Sequence, residues 1–277
     1  MSREPELHAI IDRARSWWDG IDRGEIKFTP GLPLLSKFIP AYIPGHVILV
    51  TGYTSAGKSQ LLSQIAAHSA GVEGADTIIF SLEDSQQEKL FSIAAAVSED
   101  VHKRSMILGH LGGQYGELRQ RVDCVMEEIM LWPLLIYDNV RHISAMEKII
   151  AEKKPKLVLL DYIQKVRSDG DIYTRMSSAA DRTFCMAQDM GFTFVIGSQI
   201  DGKSAREQSD VFIASKGAGD LVEAAHSVIQ VQKGRKEGMK HEVIIDVRKN
   251  KAFGNTGSVD CQFNQHWTRI EEMVVRI

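Results

Sequence analysis

Residues 52–59 read Gly-Tyr-Thr-Ser-Ala-Gly-Lys-Ser: a glycine, four residues, then Gly-Lys-Ser. Glycines at these positions let successive backbone N–H groups curl around phosphate oxygens without a side-chain clash. A helix starting at the lysine adds the positive end of its dipole. In that geometry Lys58 reaches the β- and γ-phosphates and Ser59 offers its hydroxyl to Mg²⁺. The context fits, because Val47–Thr51 is a short apolar run of strand type and Lys58–Ala70 carries a helical pattern. The expected cradle is Gly52, Tyr53, Thr54, Ser55, Ala56, Gly57, Lys58, Ser59 and Gln60, with ATP and Mg²⁺ as its ligands. The loop specifies a nucleoside triphosphate but not the use made of its energy.

Around the loop, strands and helices alternate. Strands are expected at Thr77–Leu82, Leu134–Tyr137, Leu157–Leu160 and Thr193–Ser198, with helices at Gln86–Val97, Glu117–Met130, Ser144–Glu152 and Ser177–Met190. Such alternation predicts a mostly parallel sheet covered by helices. After Gly219 the pattern changes to four consecutive strands, Ser227–Gln232, Glu242–Val247, Ser258–Phe263 and Thr268–Arg276, which should extend one sheet edge antiparallel. Residues 4–19 form an amphipathic helix ended by Gly20 and Gly24, and a connector with Pro30, Pro33 and Pro40 follows. The expected organisation is an N-terminal helix and connector over 1–28 and one α/β domain over 29–277.

Two acidic strand ends flank the loop. Leu157–Leu160 runs into Asp161, a position suited to holding the Mg²⁺ shell. Phe80-Ser81-Leu82 runs into Glu83 and Asp84, where Glu83 can polarise an attacking water while Asp84 or Ser85 caps the next helix. A third strand ends in Ser198-Gln199, and an amide there can bond the γ-phosphate.

The formal net charge of −3 provides no global basic field for nucleic acid, so any such contact must come from local basic loops. Three cysteines, Cys124, Cys185 and Cys261, match no metal spacing and are expected as buried free thiols in a reducing compartment. No apolar run approaches the ~20 residues that span a bilayer. A soluble cytoplasmic protein is expected, in a bacterial, phage or plasmid setting.

These segments together resemble the RecA-like ATPase core of the DnaB-like hexameric replicative DNA helicases. Gly31-Leu32-Pro33-Leu34-Leu35 looks like the family's opening TGxxxLD segment, and Phe80-Ser81-Leu82-Glu83 like its SLEM strand end, with Asp84 in place of methionine. Leu160-Asp161-Tyr162-Ile163-Gln164 is similar to IDYLQ, and Gly197-Ser198-Gln199-Ile200 to LSQL. Gly217-Ala218-Gly219-Asp220-Leu221 and Lys249–Gly257 resemble the family's two late segments. The resemblance implies that Glu83 activates water, Asp161 holds Mg²⁺ together with Ser59, and Gln199 senses the γ-phosphate. It also implies that Lys249 and Lys251 serve the neighbouring subunit's nucleotide. Lys251 stands where the family has an arginine finger; it keeps the charge but not the bidentate contact.

The resemblance further implies a homohexameric ring acting on single-stranded DNA. Two loops would line the channel: Lys165–Arg175, with Arg167 and Arg175, and Asp201–Gly219, with Lys203, Arg206 and Lys216. The family's N-terminal collar or primase is not expected within residues 1–28, which match a linker helix instead. That helix, with Trp17 and Trp18, docks either on a neighbour or on its own core. A primase or loader protein is the expected protein partner. The leading reading is an ATP-dependent helicase or translocase in DNA replication. The alternatives are a filament-forming recombination mediator and a KaiC-like protein-assembly ATPase.

Overall fold

Strand Val47–Gly52 (β1) buries both of its faces, as a strand must when helices cover both sides of a sheet. Ile48 and Val50 enter one apolar cluster with Leu61, Leu62 and Ile65. Val47 and Leu49 enter another with Ala187, Phe192 and Phe194. Each of the Val, Leu, Ile and Phe side chains among these contributes about 1.5–3 kcal/mol by burial. The phosphate loop therefore hangs from a fully buried strand that has neighbours on both sides in the sheet.

The computed structural model describes residues 7–23, 29–98, 101, 103, 106, 115–167, 172–200, 219–234, 241–264 and 269–273. The helices are α1 (Leu7–Asp22), α2 (Lys58–Ala67), α3 (Gln86–Val97), α4 (Tyr115–Ile129), α5 (Ile143–Lys153), α6 (Ile172–Met190) and α7 (Gly219–Ala224). The strands after β1 are β2 (Thr77–Ser81), β3 (Leu134–Tyr137), β4 (Leu157–Asp161), β5 (Thr193–Gln199), β6 (Ser227–Lys233), β7 (Glu242–Asn250), β8 (Gly257–Phe263) and β9 (Ile270–Glu272). They form one nine-stranded sheet in the order β3-β2-β4-β5-β1-β6-β7-β8-β9. The pairs from β3 to β6 are parallel, and β7, β8 and β9 add on antiparallel. Residues of α2, α3 and α4 cover one face, and residues of α5, α6 and α7 the other.

The expected mixed sheet is thus observed, with corrections of detail. β6 belongs to the parallel set beside β1, and the antiparallel extension begins at β7. The six-residue helix α7 precedes β6; it is too short to leave a periodic pattern in sequence. Helix α6 starts at Ile172, five residues before the expected Ser177. Helix α1 runs through Gly20 to Asp22, since one internal glycine costs only about 1 kcal/mol. Strand β9 spans three residues, Ile270–Glu272, where Thr268–Arg276 was expected.

All three cysteines are free, but Cys124 and Cys185 are exposed and only Cys261 is buried. The first two lie on solvent-facing sides of α4 and α6, a placement that residue type alone does not reveal. No helix among the described residues is long and apolar enough to cross a membrane.

Candidate active site

The loop joins β1 to α2, which begins at Lys58 as the sequence pattern predicts. Gly57 adopts φ 108°, and a Cβ there would lie 2.7 Å from the Phe263 ring, so only glycine fits. Lys58 opens α2 and is 8% exposed. Its Nζ donates to the carbonyls of Gly52 at 2.8 Å and Tyr53 at 2.9 Å, which holds the ammonium inside the loop. Burial pushes its pKa below the ordinary lysine value, against the opposing pull of the Asp161 and Glu83 carboxylates.

Those acids reach the loop because all four site strands end on one side of the sheet. In parallel strands, carboxyl ends align, and such edges bind ligands. The register pairs Gly52 with Gln199 and Ser81 with Asp161. Glu83 follows β2 in an exposed turn. Ser85, rather than Asp84, caps α3, in a capping box with Glu88. Gln199 Nε2 lies 2.5 Å from Thr54 Oγ1, so the end of β5 touches the loop directly.

Asp161 is 1% exposed, and its Oδ1 has no hydrogen-bond partner among the described residues. An orphaned carboxylate oxygen near the loop that carries Ser59 fits a hydrated Mg²⁺. No cluster of three or more metal-ligating side chains occurs among the described residues.

Lys249 and Lys251 lie at the opposite end of the sheet. Ser227 pairs with Ile48 and with Asn250, whereas Gly52 pairs with Val231. About 13 Å of strand therefore separates these lysines from their own phosphate loop. Both reach the C-terminus of α7: Lys249 Nζ donates to the carbonyls of Val222 and Glu223 at 2.7 Å, and Lys251 Nζ to that of Glu223 at 3.2 Å. Arg248 turns away, to Asp246 at 2.6 Å and Gln230 at 3.2 Å.

The basic positions divide. Arg167 is exposed but not part of a free loop, because its N–H bonds the Arg141 carbonyl at 2.7 Å and its carbonyl accepts from Ile143. Arg175 lies on α6 rather than in the loop expected, since the helix starts earlier than its sequence pattern indicates. Lys203, Arg206 and Lys216 lie outside the described residues.

A sequence profile described as DnaB-like helicase C terminal domain matches residues 28–272. The chain belongs to this family. Its fold is the RecA-like ATPase core, shared with the structure described as the ATPase domain of G40P (TM-score 0.82, 15% identity, 96% of this chain and 99% of that one). A structure of a DnaB-like replicative helicase, reported with its interactions with primase, matches at TM-score 0.78 and 14% identity, covering 99% of this chain and 68% of that one. A KaiC-like protein from Pyrococcus horikoshii OT3 is more distant, at TM-score 0.63 and 14% identity over 90% of this chain and 99% of that one. No curated protein matches the sequence.

Two further residues of this DnaB-like chain, Gln164 and Lys89, carry connections that their sequence positions do not indicate. Gln164 clamps the end of β5: its Nε2 donates to Ser198 Oγ at 2.9 Å and to the Gln199 carbonyl at 3.1 Å, and its Oε1 accepts from the Gln199 N–H at 3.2 Å. Lys89 on α3 is fully buried, with Nζ 2.7 Å from Asp161 Oδ2. Gln164 was visible as part of a motif, but its contacts were not. Lys89 had no local signal, because a lysine one turn into a helix ordinarily faces water.

Proposed function

We propose that this chain is the motor core of an ATP-driven DNA helicase of replication, acting on single-stranded DNA as a hexameric ring of identical subunits. Family membership supports the helicase class. The observation that carries the ring is the division of the site: the loop, Glu83, Asp161 and Gln199 gather at one end of the sheet, while Lys249 and Lys251 lie at the other. Cations that cannot reach their own nucleotide are suited to a neighbour's.

In this reading Lys58 leaves its two carbonyls for the phosphates, and Ser59 and Asp161 Oδ1 face the metal. Ser59 and Asp161 would hold Mg²⁺, whose charge would offset the negative charge that develops on the phosphates. Glu83 orients and polarises the water for in-line attack. Gln199 bonds the γ-phosphate and passes its loss to the segment that follows β5. Lys251 of the next subunit adds charge at the transferred group. Lys165, Arg167, Arg175, Lys203, Arg206 and Lys216 contribute to a basic channel summed over six subunits, and a primase or loader is the protein partner.

The deciding experiment measures ATP turnover with and without single-stranded DNA, and strand displacement on a forked duplex, at two salt concentrations. Turnover stimulated by single strands, displacement of the fork and binding that weakens with salt are expected. Turnover indifferent to DNA would favour a protein-assembly ATPase, and stimulation without displacement a recombination mediator.

Residues 29–277 form the ATPase domain in this proposal and 1–28 a linker whose helix docks on the adjacent subunit. Trp18, 72% exposed, supports that role, because a tryptophan this open gains most by burial elsewhere. The side chain of Trp17 is outside the described residues. Removing residues 1–24 should reduce the assembly to smaller species in light scattering. A truncated chain that still forms the full ring would rule out docking in trans.

A further inference from the structure

Lys89 deserves a role of its own, because a buried ammonium is costly. Desolvating one costs several kcal/mol unless close carboxylates and good geometry offset it. Lys89 has that company: Asp161 Oδ2 at 2.7 Å and Asp84 Oδ2 at 3.3 Å, with Lys103 facing Asp84 from the outer side at 3.7 Å. The two carboxylates come from different elements. Asp161 ends β4, whereas Asp84 lies in the turn between β2 and α3, next to Glu83.

The same turn is tied down by backbone contacts. The Leu82 N–H donates to the Asp161 carbonyl at 2.7 Å, and Ser81 Oγ to the Asp84 carbonyl at 2.8 Å. Lys89 adds a charged strut across this seam. It also takes up one oxygen of Asp161 and leaves the other, Oδ1, without a partner among the described residues. The family's strand end resembled here has methionine at position 84, which cannot anchor an ammonium.

We infer that Lys89 is a positioning residue that locks the Glu83 turn to the end of β4 and, by holding Asp161 Oδ2, aims Oδ1 at the metal side of the site. The inference rests on the roles proposed for Glu83 and Asp161. It separates two effects. The Lys89–Asp161 contact governs the metal side, and the Lys89–Asp84 contact governs the placement of Glu83.

The test compares Lys89→Met, Asp84→Asn and Asp161→Asn with the full wild-type chain. Binding of a fluorescent ADP analogue is titrated with Mg²⁺, and turnover and thermal melting are measured alongside. In Lys89→Met, the half-saturating Mg²⁺ concentration should rise about tenfold, as when a partner that orients a metal ligand is lost. In Asp84→Asn, which keeps the Lys89–Asp161 contact, Mg²⁺ dependence should stay unchanged while kcat falls several-fold at constant KM for ATP. Lys89→Met with Mg²⁺ half-saturation within twofold of wild type, and only melting lowered, would overturn the lock. If Lys89→Met does not fold, Asp84→Asn decides: unchanged kcat overturns the lock, and a selective loss of kcat supports it. Asp161→Asn distinguishes the levels. If it does not shift Mg²⁺ half-saturation, the metal role of Asp161 fails together with the inference. If it does and Lys89→Met does not, the inference fails alone.

Discussion

Replacing Lys58 with alanine lowers ATP turnover by about two to three orders of magnitude, the usual cost of removing one preorganised charge-stabilising donor from a site. Folding should survive the change. The ammonium is nearly buried, and burial depresses its pKa, so the folded chain holds this charge at a cost. Alanine relieves that cost but removes two hydrogen bonds, to Gly52 and Tyr53. The two effects oppose each other, and melting should shift by only a few degrees. Alanine is also a strong helix former at the first position of α2. Nucleotide affinity should fall as well, because in the proposed role Lys58 would contact the phosphates in the ground state as well as in the transition state. A variant with normal melting and normal turnover would remove the phosphate-binding role from this loop.

That prediction rests on the part of the molecule that sequence reveals best. A phosphate loop is local: its glycines, lysine and serine act within eight residues, and the strand and helix on either side carry their own periodicity. Asp161, Glu83 and Gln199 were legible for a related reason. Asp161 and Gln199 end apolar strands and Glu83 follows one by two residues, and parallel strands place such ends side by side. What stayed hidden depends on distant pairing. Lys89 is buried by Asp161, 72 residues away in sequence, and nothing near Lys89 announces it. The choice between Asp84 and Ser85 as helix cap was settled by Glu88, whose carboxylate closes the capping box. Helix α7 escaped notice because six residues show less than two turns of pattern. It matters nonetheless, since its last carbonyls are what Lys249 and Lys251 hold. The direction of β6 relative to β1 was not legible either, because side-chain alternation is the same in parallel and antiparallel strands.

Mixing two inactive variants should restore activity. Lys251→Ala alone is expected to lower turnover about a thousandfold in assembled protein, the low end of the effect of a trans-acting cation on phosphoryl transfer. Lysine supplies charge without a guanidinium's paired contact, which is why the low end applies. Lys58→Ala is inactive for the reason given above. In a ring built from both, a boundary that joins the intact phosphate loop of a Lys251→Ala subunit to the intact Lys251 of a Lys58→Ala subunit has every part of a wild-type site. Random equal mixing puts that arrangement at roughly a quarter of boundaries in a head-to-tail ring. Turnover should therefore recover to a sizeable fraction of wild type if each boundary works independently. The cis contacts of Lys251 sharpen the interpretation. Its Nζ holds the Glu223 carbonyl at 3.2 Å on an exposed surface, and its backbone N–H bonds His226 at 2.8 Å whatever the side chain. Losing one exposed contact to a helix end costs little stability, so Lys251→Ala should melt like wild type. Unchanged turnover in Lys251→Ala would end its assignment as the trans-acting cation. Failure of the mixture to recover, with both variants assembling, would place the defect within one subunit and end the shared-site account.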